Sequence, residues 1–459
     1  MDWVAKKVCV IGLGRSGVAA AELLLQHDAS VTAVDTADSP ALKQIASTLT
    51  DKGATCQVGA SEISEAFDLA VISPGVRMDL PLMESLRARG VPMWGELELG
   101  WQFTECPAIA ITGTNGKTTT TELVASLLGQ AQRRTVAAGN IGTPLCAMAG
   151  QSRELDAVTL EVSSFQLESI AEFRPAIGVL LNLAPDHLDR HGSMENYIRA
   201  KARLFENQKS FDHAIVQLEA LRELDKLNLS PPSKIITISA TDATADLYMD
   251  RSLLVSRLPD WAGPILDLDD CSLDGLHNAE NLLATVAVGH CLKISVAEMK
   301  RALSACRAGP HRCETVIEIN GVRFVNDSKA TNVHALCSAL RAMPPGGSPK
   351  NIWLIAGGQD KGLDFHAAGP EIARRVKGSL LLGDAREQIR AAWGLFSPCE
   401  LVANLVEAVA EARRKAVPGD VVLLSPACAS FDQFDSYEHR GRAFCQAVAG
   451  QGADTRTGV

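Results

Sequence analysis

The run Gly113-Thr114-Asn115-Gly116-Lys117-Thr118-Thr119 has the residue types and order needed to hold a chain of phosphates. Its glycines let backbone N–H groups approach phosphate closely, and a helix beginning there adds partial positive charge. Lys117 can reach terminal phosphates, and the Thr118 hydroxyl can sit on Mg²⁺. An apolar run, Ala108-Ile-Ala-Ile-Thr112, precedes it and reads as a buried strand. The generic pattern places a glycine where this chain has Ile111. A bare glycine-rich turn would explain the glycines alone, but the strand before and the Lys-Thr-Thr step after favour a nucleoside triphosphate.

A second glycine pattern, Gly12-Leu-Gly14-Arg15-Ser16-Gly17, lies between a strand-like and a helix-like stretch, and Asp35 ends the next apolar run. Alone it would suggest a nicotinamide or flavin dehydrogenase. Its physics is close phosphate approach and tight packing, so any nucleotide diphosphate satisfies it. Ser73-Pro74-Gly75 forms another candidate loop after an apolar run. Two nucleotide sites in succession suggest a two-substrate transferase or ligase. Glu161 ends a further apolar run, where an acidic side chain can hold Mg²⁺. His187 lies in the polar loop Asn182 to His191, as a metal ligand or orienting group. By spacing alone, Lys201 reads as a surface lysine on a helix.

These residues need elements to position them. The 459 residues suffice for about three domains. Strand patterns fall at 7–12, 30–35 and 69–73, at 157–162 and 177–183, and at 322–325, 351–356, 380–382 and 421–424. Helical patterns such as 17–27 and 402–415 alternate with them, which predicts α/β domains with mostly parallel sheets. The expected boundaries are 1–104, 105–308 and 309–459. A net charge of −10 argues against a nucleic-acid surface, and no apolar run is long enough to insert in a membrane. The N-terminus has no signal-peptide layout, and the 12 cysteines show no CxxC pair, so a cytoplasmic protein with reduced thiols is expected.

Taken in order, the motifs resemble the Mur ligase family. The phosphate loop looks like that family's ATP loop, which accounts for Ile111. Gly139-Asn140-Ile-Gly142, Glu161-Val-Ser-Ser-Phe-Gln-Leu, Asp186-His187-Leu-Asp-Arg-His, Tyr197-Ile-Arg-Ala-Lys201 and His277-Asn278-Ala-Glu-Asn281 also resemble family motifs. Phe324-Val-Asn-Asp327-Ser-Lys329-Ala-Thr331-Asn332 and the stretch from Leu424 through Ser430 and Phe431 are similar to the branch that adds D-glutamate.

The resemblance implies a Rossmann-like UDP-binding domain, a central P-loop-type ATPase domain and a Rossmann-like C-terminal domain. It implies that ATP activates the carboxylate of UDP-N-acetylmuramoyl-L-alanine as an acyl phosphate, which the amine of D-glutamate attacks. Lys117, Glu161, His187 and Lys201 would carry the chemistry. Two Mg²⁺ sites are implied: one at Thr118 and Glu161, and one at His187 and a carbamylated Lys201. ATP would be held by the loop 113–119 with Asn278, Asn281, His311, Arg312 and Asp327. The UDP substrate would meet Gly14, Arg15, Ser16, Asp35, Thr36, Ser73, Pro74, Gly75, Asn140 and His187. D-glutamate would meet Lys329, Thr331, Lys361, Ser430 and Phe431. A monomer is expected. Another amino-acid adder, a folylpolyglutamate-type synthetase, a dehydrogenase and a non-catalytic nucleotide-binding regulator are the alternatives.

Overall fold

The computed structural model describes residues 2–271, 273, 275–306, 309–344, 346 and 348–450. The chain forms two compact units. The first comprises Met1–Asn182, Ile198–Leu266 and Glu280–Leu303; the second comprises Leu183–Tyr197, Asp267–Ala279 and the chain from Ser304 onward. Among the described residues, no helix is long and apolar enough to cross a membrane.

Unit one opens with a five-stranded sheet of β1 (Lys7–Ile11), β2 (Ser30–Asp35), β3 (Thr55–Val58), β4 (Leu69–Ile72) and β5 (Met93–Gly95). The order is β3-β2-β1-β4-β5, all parallel. Side chains alternate between faces, so each strand feeds two cores. Val8, Val10, Val31 and Ala33 pack with Ala20 and Leu24 of the helix Arg15–Gln26. Cys9, Ile11, Val34 and Ile72 pack with Leu82, Met83 and Leu86 of the helix Pro81–Ala88. A Cβ at Gly17 would strike the Gly12 carbonyl, so glycine there permits the close approach of helix to strand.

The second sheet holds β6 (Ala108–Thr112), β7 (Thr135–Gly139), β8 (Ala157–Glu161), β9 (Ile177–Leu180), β10 (His213–Gln217), β11 (Lys234–Ser239), β12 (Leu247–Asp250), β13 (Leu253–Ser256) and β14 (Gly263–Asp267). Its order is β14-β13-β12-β11-β10-β9-β6-β8-β7, and the β12–β13 pair is antiparallel. Two buried carboxylates bind the connections of the two sheets together. Glu98 accepts the N–H groups of Ala171 and Phe173 at 2.8 and 2.9 Å, and Glu96 accepts that of Cys146 at 2.7 Å.

In unit two, β15 (Glu314–Ile319), β16 (Val322–Asn326), β17 (Ile352–Gly357), β18 (Val376–Leu382), β19 (Cys399–Leu401) and β20 (Val421–Leu424) form a sheet ordered β15-β16-β20-β17-β18-β19. Only the edge pair β15–β16 is antiparallel. Alternation again makes two cores. Val325, Leu354, Ala356 and Leu423 face one side, and Phe324, Ile355, Leu380 and Leu424 face the other.

The expected α/β class with mostly parallel sheets is the observed one. Strands at 30–35 and 421–424 lie as expected, whereas β9 ends at Leu180, three residues before the expected strand at 177–183. The helix expected over 402–415 begins at Leu405, because the Asn404 side chain accepts the Glu407 N–H and caps it.

Candidate functional site

The chemistry-bearing residues gather at the carboxyl ends of parallel strands, where α/β sheets bind ligands. β6 is wholly buried and ends in the loop 113–116, from which the helix Lys117–Gln130 departs. Gly113 and Gly116 adopt φ of +148° and +84°, a region favouring glycine. A Cβ at Gly116 would also collide with the side-chain oxygen of Asn281. That same oxygen accepts the Thr120 hydroxyl at 3.1 Å, which ties the helix carrying Asn281 to the loop. Asn182, just beyond β9, clamps the other side: it accepts the Asn115 N–H at 2.8 Å and donates to the Asn115 carbonyl at 3.1 Å. The Lys117 ammonium folds back onto the carbonyls of Gly113 and Thr114 at 2.9 and 2.8 Å. Thr114 and Thr118 are buried beside it, while Asn115 and Thr119 are half-buried.

Glu161 ends β8 and is buried. Its Oε1 accepts the Asn140 side-chain N–H at 2.6 Å, while its Oε2 is buried with no hydrogen-bond partner. An orphaned carboxylate oxygen at this strand end fits a divalent cation. Among the described residues no cluster of three or more His, Cys, Asp or Glu side chains forms. Lys201, expected on the surface, is instead 1% exposed. Its ammonium donates to the Gly113 carbonyl at 2.8 Å and approaches the Thr112 hydroxyl at 3.4 Å. The helix Met194–Ala202 turns this lysine inward, toward the base of the phosphate loop.

A cleft of about 580 Å³ opens where the first sheet meets the β7 edge of the second. Gly14, Arg15, Ser16, Asp35, Thr36, Ser73, Pro74, Gly75 and Asn140 all line it, so the structure brings together nine of the ten expected UDP contacts. The tenth, His187, belongs to unit two. Arg77 and Gln166, which the sequence reading passed over, line the cleft as well. Both oxygens of Asp35 are engaged, accepting the N–H groups of Leu13 and Ala37 at 2.8 and 2.9 Å. The carboxylate therefore shapes the fingerprint turn. The Arg15 guanidinium donates to the Gly142 carbonyl.

Unit two carries the remaining candidates. His187 sits in the left-handed region at φ +53°, and its N–H donates to the Asp186 carboxylate at 3.0 Å. Asp186 was not singled out from the sequence, although it lies inside a quoted motif. It is buried, accepts the Asn332 side-chain N–H at 3.3 Å and stands 3.9 Å from the Lys361 ammonium. Asn278 lies in the first turn of the helix Leu276–Cys291, its N–H donating to the Gly275 carbonyl at 3.0 Å. His311 and Asp327 are buried, and Arg312 is half-buried beside them. Burial pushes the Asp327 carboxyl up to about 7, against donors from Ser425 and Cys313, and pushes the His311 imidazole down. Lys329 and Thr331 are half-buried and Ser430 is buried. Phe431 is 65% exposed, whereas the Lys329 ammonium stands 3.8 Å from the ring centre of Tyr437. Tyr437 is thus the aromatic at this lysine.

Residues 6–95 match the Mur ligase MurD-like N-terminal domain, 111–289 the Mur ligase middle domain, and 311–428 the Mur ligase glutamate ligase domain. The chain is 41% identical over 455 residues to the UDP-N-acetylmuramoylalanine–D-glutamate ligase of Koribacter versatilis, covering 98% of each chain. It is also 41% identical over 458 residues to the same-named protein of Acidobacterium capsulatum, covering 98% of this chain and 97% of that one. Among solved structures it resembles a MurF ligase from Thermotoga maritima in complex with ADP (TM-score 0.63, 15% identity, 92% and 95% covered). It likewise resembles the UDP-N-acetylmuramate-alanine ligase MurC from Thermotoga maritima (TM-score 0.61, 18% identity, 97% and 99% covered). At those identities the likeness is one of fold.

Proposed function

The chain belongs to the Mur ligase family, and from that premise we propose that it joins D-glutamate to UDP-N-acetylmuramoyl-L-alanine with conversion of ATP to ADP and phosphate. The relatives' names support the D-glutamate acceptor, and one observation supports the coupling of ATP to the UDP substrate. A phosphate loop, a buried carboxylate with an open oxygen and a 580 Å³ nucleotide-type cleft share neighbouring carboxyl edges within one unit. Asn140 links them, because it lines the cleft and donates to Glu161.

A carboxylate oxygen of the UDP substrate attacks the terminal phosphorus, and ADP departs. The D-glutamate amine then attacks the acyl carbon, the amine gives up its proton, and phosphate leaves the tetrahedral intermediate. Charge spreads over the phosphoryl oxygens in the first step, so cations fixed beforehand lower its barrier. Lys117 exchanges its two carbonyl partners for phosphate oxygens. Asn140 orients the substrate end nearest Glu161. Thr118 and Glu161 would hold one Mg²⁺, which would supply Lewis-acid charge at the phosphates. Lys201, carbamylated, would offer an anionic oxygen to a second ion; a buried amine at the base of the loop supports this. His187 would offer an imidazole nitrogen. Asn281 fixes the loop for ATP, and Asn278, His311, Arg312 and Asp327 serve the same nucleotide. Lys329, Thr331, Lys361 and Ser430 take the carboxylates of D-glutamate, with Tyr437 as their aromatic partner in preference to Phe431. In this reading the regions 1–104, 105–308 and 309–459 serve the UDP substrate, ATP and amino acid in turn. The enzyme works as a cytoplasmic monomer.

The test is phosphate release from ATP with UDP-N-acetylmuramoyl-L-alanine, comparing D-glutamate, L-glutamate, L-lysine, diaminopimelate and no acceptor. Release that requires both the UDP substrate and D-glutamate is expected. Release with another amino acid would move the assignment to a sister activity. NAD-dependent absorbance change without ATP would restore the dehydrogenase reading.

A further inference from the structure

The Arg440 guanidinium is 3% exposed, and none of its five hydrogen bonds goes to a carboxylate. Nε donates to the Ser328 hydroxyl at 3.0 Å, and Nη2 to the Ser328 and Cys428 carbonyls at 2.9 and 3.1 Å. Nη1 donates to the carbonyls of Cys428 and Ala429 at 3.1 and 3.2 Å. A buried cation whose direct partners are all carbonyls and a hydroxyl, with the Asp327 and Asp432 carboxylates acting on it only at longer range, is an expensive way to hold a core together. Its partners explain the choice. Ser328 precedes Lys329 in the loop after β16, and Ala429 precedes Ser430 in the loop after β20. Arg440 itself lies in the first turn of the helix Tyr437–Val448, whose Tyr437 faces Lys329. The Ser328 hydroxyl also donates to the Tyr437 carbonyl at 2.8 Å. Gln359 and Ala429 exchange two backbone hydrogen bonds, of 3.0 and 3.1 Å, so the loop bearing Lys361 is fastened to the same centre.

We infer that Arg440 is a positioning residue for the amino-acid acceptor. Its planar fork fixes the loops of Lys329 and Ser430 in one register, and its charge sits behind the place where a dianionic amino acid binds. This inference rests on the assignment of Lys329, Lys361 and Ser430 to the acceptor. A lysine cannot replace it, because an ammonium offers its donors from one point and cannot span the two loops that the guanidinium joins.

The experiment measures KM for D-glutamate, ATP and the UDP substrate in the wild type, Arg440→Lys and Ser328→Ala. In Arg440→Lys, KM for D-glutamate is expected to rise at least about tenfold, the scale of a lost charged hydrogen bond, with the other two KM values within about twofold. Ser328→Ala removes the acceptor of Nε and the donor to the Tyr437 carbonyl while keeping the other four Arg440 hydrogen bonds, and should shift the same parameter less. It also carries the test if Arg440→Lys fails to fold. Arg440→Ala should recover D-glutamate affinity in part with added guanidinium. A folded Arg440→Lys with unchanged KM for D-glutamate, or with all three KM values raised together, overturns the inference. If the wild type turns over only with a different amino acid, the D-glutamate reading moves and the Arg440 effect is read on that acceptor's KM. If no amino acid supports turnover, both fall.

Discussion

Lys201 shows how burial changes what a residue type means. A lysine on a helix reads as solvated, yet this one is 1% exposed with its nitrogen 2.8 Å from the Gly113 carbonyl. Conversion to a carbamate would make it an oxygen ligand where phosphate charge must be balanced. Lys201→Ala is therefore expected to lose most turnover, about a hundredfold or more on the scale of lost electrostatic groups. Short carboxylic acids should restore part of it, and phosphate release with and without acetate measures this; full activity in the variant would sink the carbamate. Glu161 makes the complementary case. Glu161→Gln keeps an acceptor for Asn140 but removes the charge on the orphaned oxygen. The Mg²⁺ concentration for half-maximal rate should rise about tenfold or more, one ligand's charge being lost. A Mg²⁺ titration that superimposes on the wild type would remove Glu161 from the metal site.

The phosphate loop is the element on which the ATP reading turns. Gly116→Ala would place a side chain at φ +84° and against Asn281. It is expected to destabilise the protein by roughly 1–3 kcal/mol and to raise KM for ATP. Thermal unfolding and ATP saturation curves check the two together; an unchanged KM for ATP would separate the loop from the nucleotide. This element was legible because a parallel strand buried on both faces is a continuous apolar run ending in a turn. The same reason explains strands 30–35 and 421–424. β12 and β13 gave no such signal, since Leu247–Asp250 is short and half polar and owes its shape to pairing with Leu253–Ser256. The site was legible as motifs but not as directions: Ser430 turned out buried, its neighbour Phe431 exposed, and Tyr437 came to face Lys329 from a helix six residues on.

For the whole molecule, the buried acids set a pH dependence that the sequence hides. Glu96 and Glu98 alternate with leucines, and both are buried. Burial pushes the Glu96 carboxyl up to about 7, against the Cys146 N–H that holds it, and Glu280 and Asp327 are raised to similar values, also by burial. Below the unfolded carboxyl value both states hold the proton, so these groups take nothing from stability there. As pH rises from about 4.5 to 7 the unfolded chain releases protons that the folded chain keeps, and stability falls; above about 7 the loss is constant. For Glu96 alone the difference is about 3 kcal/mol. Glu96→Gln retains an acceptor for Cys146 and cannot ionise. Its stability relative to the wild type should therefore improve by about 2.5 kcal/mol between pH 5 and pH 8, the part of that difference falling in this window, whatever fixed cost the new amide carries. Urea unfolding of both proteins at the two pH values reads the difference directly. A gap between variant and wild type that stays the same at pH 5 and pH 8 would mean that Glu96 ionises at an ordinary value, and that the seam between the two sheets of unit one tolerates the charge.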